Sequence, residues 1–81
     1  MRVRWTATSV TALRKLPPRI QAEVVRRTAT LADYPEVYPE RMRGRYRGYR
    51  WFPVHHWLVY YRIRGEEVLI TNIWHGKRRR A

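Results

Sequence analysis

At 81 residues the chain has room for one domain and one thin core, since domains commonly run to about 100–150 residues. Eighteen Lys and Arg against six Asp and Glu leave a formal charge of +12, an excess that points to an anionic polymer or an acidic protein as partner. The absence of cysteine excludes a disulfide framework or a thiolate metal centre; no apolar run approaches the about 18–20 residues of a membrane span and no leader is visible, so a soluble, cytoplasmic protein is expected.

Val3 and Trp5 alternate with Arg2 and Arg4, the period-two pattern of a half-buried strand over residues 1–5, expected at or near a sheet edge with its arginines on the wet face. Thr6, Thr8 and Ser9 offer N-cap hydroxyls, and Val10, Leu13 and Leu16 fall three apart, which predicts a short helix ended by Pro17-Pro18. Ile20, Val24, Val25, Ala29, Leu31 and Ala32 then mark a longer amphipathic helix over residues 18–33, with Pro18 in its first turn and Glu23 four residues before Arg27 as an ion pair. Tyr34-Pro35-Glu36-Val37-Tyr38-Pro39 is a connector, because each Pro lacks a donor and restricts the residue before it.

Arg41, Arg43, Arg45 and Arg47 occupy alternate positions between Glu40 and Gly48. If extended, the stretch projects all four to one side; if a loop, it is a flexible basic rim. Both forms suit sequence-independent contacts to an RNA backbone, as does Lys77. Residues 49–52 read as a strand closed by Pro53. Residues 56–64 carry the strongest strand signal, with Trp57, Val59, Tyr61 and Ile63 on one face and Leu58, Tyr60 and Arg62 on the other. After a turn at Arg64-Gly65-Glu66, residues 67–74 return, Val68, Ile70, Asn72 and Trp74 opposing Leu69, Thr71, Ile73 and His75. Residues 77–81 form a basic tail expected to fray.

The predicted fold is α+β, a single domain over residues 1–81 in the order β-α-α-β-β-β. An antiparallel-rich sheet carries a two-helix hairpin packed on one face, the first strand reaches the sheet by a crossover, and the other face is left for a partner.

In this order and spacing the chain resembles the RelE/ParE superfamily of toxins from type II toxin-antitoxin pairs, closer to the compact RelE branch. The resemblance rests on the strand before Thr8, the helix ending Leu31-Ala32-Asp33-Tyr34-Pro35, and Met42-Arg43-Gly44 where the family often has Leu-Arg-Gly. It continues through Tyr49-Arg50-Trp51-Phe52, Trp57-Leu58-Val59-Tyr60 and Ile73-Trp74-His75-Gly76-Lys77-Arg78. It implies a cognate acidic antitoxin as partner and one of two activities. One is endoribonuclease cleavage of mRNA on the ribosome, an mRNA interferase that arrests translation; the other is inhibition of DNA gyrase without nuclease activity. A third reading, a non-toxic basic RNA-binding module, rests on charge alone.

RNA cleavage needs a 2′-hydroxyl deprotonated, a pentacoordinate phosphate stabilised and a 5′-oxygen protonated, which is why such sites collect Arg, Lys and His. The resemblance carries catalytic roles onto Arg50 and Arg78, and onto His75 as general acid or base. The second basic position of the family's strand pair falls here on Phe52, and the basic residue that opens the next strand falls on Trp57. Trp51, Phe52 and Trp57 are weighed as base-stacking groups, although a core this small needs most of its aromatics for packing. His55 and His56 read as turn residues; no third ligand accompanies them, and neither metal nor cofactor is expected.

Overall fold

The computed structural model describes residues 1–76. Its elements are β1 (Arg2–Trp5), α1 (Ala7–Arg14), α2 (Pro18–Thr30), β2 (Arg50–Val54), β3 (Trp57–Arg64) and β4 (Glu67–His75). Lys77, Arg78 and the expected basic tail lie outside the described residues.

Each helix starts where local chemistry dictates. The Thr6 hydroxyl accepts the Ser9 N–H at 3.1 Å, capping α1. Pro18 opens α2, where its missing donor costs nothing. The sheet order is β1-β4-β3-β2. β1 lies parallel to β4 at one edge, reached through the two helices, and β2, β3 and β4 form antiparallel hairpins. Pro53 sits inside β2 rather than closing it; β2 is an edge strand, so the absent N–H breaks no ladder.

The core lies between helices and sheet: Leu16, Ile20, Val24 and Leu31 meet Phe52, Val54, Val59, Tyr61, Val68, Ile70 and Ile73. Residues of one parity in β2 and β3 supply it, as the alternation predicts. In β4 the predicted alternation fails after Ile70. Tyr61 pairs with Ile70 and Tyr60 with Asn72, so Thr71 is an extra, bulged residue. One inserted residue reverses every side chain beyond it. Ile73 therefore joins Val68 and Ile70 in the core, and Trp74 turns to the opposite face and stands exposed.

Two expectations for α2 are also corrected. Val25 is 47% exposed while Thr28 is buried, because Ile20, Val24, Thr28 and Leu31 follow the 3.6-residue period of the inward stripe better than Val25 and Ala29 do. Glu23 pairs with Arg26, one turn away at i+3, instead of Arg27, and that hydrogen bond holds its carboxyl below the usual range. Arg27 instead ties α2 to the sheet: its guanidinium donates to the Pro53 carbonyl at 2.9 Å and the Tyr38 hydroxyl at 2.8 Å, and lies 4.9 Å from the Phe52 ring centre.

Candidate functional site at the two ends of β4's last turn of chain

The arginine-rich stretch is a loop, and it folds back over the sheet. Its neck is closed by Arg41 N–H to the Tyr49 carbonyl at 2.7 Å and by Gly48 N–H to the Arg41 carbonyl at 2.8 Å. Gly44 and Gly48 take positive φ values of 83° and 88°, which a side chain would resist. The apex presses Tyr46 onto Tyr60, ring centres 4.3 Å apart, with Tyr49 edge-on at 5.5 Å. Trp74 donates its indole N–H to the Tyr46 hydroxyl at 3.0 Å. Tyr60 is thereby buried although no helix covers it. The sheet face expected to stand open is therefore partly roofed. Above the roof, Arg41, Arg43, Arg45 and Arg47 all remain exposed.

His75 has a different setting. The bulge at Thr71 places it on the helix side, paired across the ladder with Trp57. The Trp57 and His75 rings meet edge-on at 5.1 Å, and the His56 ring lies 5.9 Å from that of His75. The tight turn after β2, where His55 takes a φ of 54°, brings His56 beside the end of β4. Gly76 fixes it there, its N–H donating to the His56 carbonyl at 2.6 Å. A Cβ at Gly76 would stand 3.1 Å from that same oxygen, so only glycine fits without displacement. His75 lines an open groove of about 780 Å³ between α1 and the sheet, together with Thr8, Thr11, Lys15, Trp57 and Asn72 among others, whereas His56 is not part of the lining.

Arg50 does not join this group. It pairs with Tyr61 across the ladder whereas His75 pairs with Trp57, which separates their backbones by about 13 Å along β3 and about 10 Å across two strand spacings. Only 17% exposed, its guanidinium reaches Glu40 at 3.6 Å and donates to the Tyr38 carbonyl at 2.6 Å. Among the described residues no three His, Cys, Asp or Glu come together as a metal-binding group, and no helix is long and apolar enough to cross a membrane.

Residues 3–80 match the family described as the ParE toxin of the type II toxin-antitoxin system parDE. The chain belongs to that family. The RelBE2 toxin-antitoxin complex of Mycobacterium tuberculosis contains a similar chain, 31% identical with a TM-score of 0.79, the match covering 91% of this chain and 88% of that one. A chromosomal ParDE system from P. aeruginosa shares the fold at 17% identity and a TM-score of 0.70, over 93% and 95% of the two chains. No curated protein sequence matches.

In this RelE/ParE toxin Phe52 is fully buried and stacks on Tyr38 with ring centres 4.7 Å apart; a charge there would be desolvated under α2. Trp57 packs against His75 and the core. Sequence reasoning passed over Lys15 and the pairing of His56 with His75. Lys15 follows α1 with nothing but its charge to mark it, and the imidazole pair depends on the turn that joins β2 to β3.

Proposed function

We propose that this protein is the toxin of a type II pair, neutralised by an acidic antitoxin segment laid on its basic surface, and that it acts as a metal-independent mRNA endoribonuclease on the ribosome. The observation that carries this reading is that His75 lines an open groove with the His56 ring 5.9 Å from its own. Two imidazoles at that separation can share the work of phosphodiester cleavage. One removes the proton of the 2′-hydroxyl, whose oxygen attacks phosphorus; the other protonates the departing 5′-oxygen, leaving a 2′,3′-cyclic phosphate and a 5′-hydroxyl. Lys15 in the same groove, with Arg78 and Lys77 next in sequence, supplies positive charge for the pentacoordinate phosphate. Arg50 serves the site only at a distance, by bracing the loop that carries Arg41, Arg43, Arg45 and Arg47.

The test is an in vitro translation reaction with RNA ends mapped. Wild type cuts the message, and His75→Ala lowers the cleavage rate by about 10²–10⁴-fold, with unchanged thermal unfolding. Intact message alongside normal translation overturns the proposal.

Inhibition of DNA gyrase is the second reading. It is favoured by the engagement of Arg50 with Glu40 and Tyr38 and by Trp57 at a position basic in nuclease relatives. A supercoiling assay at physiological salt, with an Arg-rich peptide as charge control, supports it if the folded toxin alone inhibits.

A further inference from the structure

We infer that Trp74 and the arginine loop above it form a binding surface for single-stranded nucleic acid, a base stacking on the indole while Arg41, Arg43, Arg45 and Arg47 hold the phosphates. The inference rests on the RNA-directed reading and adds to it a face of the sheet that His75 does not occupy.

Trp74 is 40% exposed, on the face opposite the core. An exposed Trp is ordinarily mobile about its side-chain torsions, but this one is oriented by the bond from its indole N–H to the Tyr46 hydroxyl. Tyr46 in turn rests on the buried Tyr60. The platform is thus set before any ligand arrives, which reduces the entropy lost on stacking.

The charges beside it are available as well. Arg27, Arg50 and Arg62 spend their guanidinium groups on carbonyls, carboxylates or rings. Arg41, Arg43, Arg45 and Arg47 make no side-chain hydrogen bond or ion pair among the described residues, and the nearest carboxylate in sequence, Glu40, already faces Arg50. An aromatic ring with a rim of unspent cations is the combination that single strands use, bases on the ring and phosphates on the rim. A duplex keeps its bases stacked on one another and offers no such face. RNA and DNA single strands share the required chemistry.

Trp74 and His75 are consecutive and point to opposite sides of β4. A strand held on Trp74 at that end of the sheet passes within one residue of the imidazole pair, so stacking on one face registers the backbone for the groove on the other.

The measurement is fluorescence polarisation of labelled strands of about twelve nucleotides, inside the roughly 4–16 that single-strand sites span. The strands are 2′-O-methyl oligouridine, which cannot be cleaved through its 2′-oxygen, and oligodeoxythymidine. Trp74→Ala weakens binding about 5- to 150-fold and leaves the salt slope unaltered. Trp74→Phe, which also lacks the indole N–H, restores most of the loss and so separates ring stacking from any disturbance of the loop. Arg43, Arg45 and Arg47 replaced together by Gln reduce the slope of log K against log salt by about 2, at about 0.7 per contact. Wild-type affinity in Trp74→Ala overturns the inference. So does an acidic polyglutamate peptide that binds with the same dependence on Trp74, which assigns the face to a protein. Because the strand is uncleavable, the outcome is independent of whether the translation assay shows cleavage, and a preference for the 2′-O-methyl or the deoxy strand separates RNA from DNA.

Discussion

The two faces of the sheet hold themselves together by different means. Beneath the helices, aliphatic side chains and Phe52 pack densely and the polar groups there are structural: Arg27 and Tyr61 are bonded to backbone carbonyls of β2 and the connector. On the other face no helix lies among the described residues, and burial of Tyr60 is achieved by an aromatic stack capped by a hairpin-like loop. The first arrangement spends Arg27 and Arg50 on the fold. The second leaves Arg41, Arg43, Arg45 and Arg47 exposed on the loop.

The largest expected effect breaks the first face. Phe52→Ala removes the ring that touches Tyr38, Tyr61 and Arg27, and should cost about 3–5 kcal/mol in urea unfolding. A domain of this size has only about 5–10 kcal/mol in total, so the variant is expected at the margin of folding. Tyr46→Ala sharpens the contrast. It strips the roof from Tyr60 and should cost about 1–2 kcal/mol, with tryptic cleavage after Arg43 and Arg45 accelerated while core amides keep their hydrogen-exchange protection. Equal losses from the two variants would show that the faces unfold as one.

Arg50 and Arg45 make the same contrast among charges. Arg50→Ala leaves the Tyr38 carbonyl and Glu40 without their partner and should cost about 1–3 kcal/mol, detected as a lower urea midpoint at unchanged m-value. Arg45→Gln, on the exposed loop, should stay within about 0.5 kcal/mol of wild type and weaken binding to single strands. An Arg50 variant of unaltered stability that abolishes cleavage would return Arg50 to the catalytic group.

How much of this was legible in the residues follows the same division. The helix-facing side of β2 and β3, the edge position of β1 and the order of elements all follow from local periodicity and punctuation by Pro and Gly. The bulge at Thr71 does not, since Thr is an ordinary strand residue and the extra position exists only relative to β3. With it went the facing of Ile73, Trp74 and His75. The fold-back of the loop was equally hidden: Tyr46 lies among four arginines with no apolar period to mark it, and its partner Tyr60 reads as a wet-face residue until the loop arrives. The roles of Arg50 and Arg27 depend on which carbonyls the connector presents, a tertiary fact without a local signal.

A pH-dependent effect concerns Tyr61, where the connector meets the core. Its hydroxyl donates to the Pro35 carbonyl at 2.8 Å, and burial pushes its pKa up to about 12, partly countered by Arg50. The unfolded chain ionises the same phenol near pH 10. A proton held more tightly in the native state contributes stability that is complete below about pH 10 and is lost as pH rises from there through about 12. Tyr61→Phe should cost about 1 kcal/mol at pH 8, for the missing hydrogen bond. The advantage of wild type over the variant should then shrink between pH 10 and 12, because only wild type carries that titration. Comparing the two proteins cancels the other five tyrosines, which both carry. If the gap between their urea midpoints stays constant across that interval, the hydroxyl is reached by water in the folded chain, and the connector is not sealed against the core as its contacts with Arg50 and Tyr61 require.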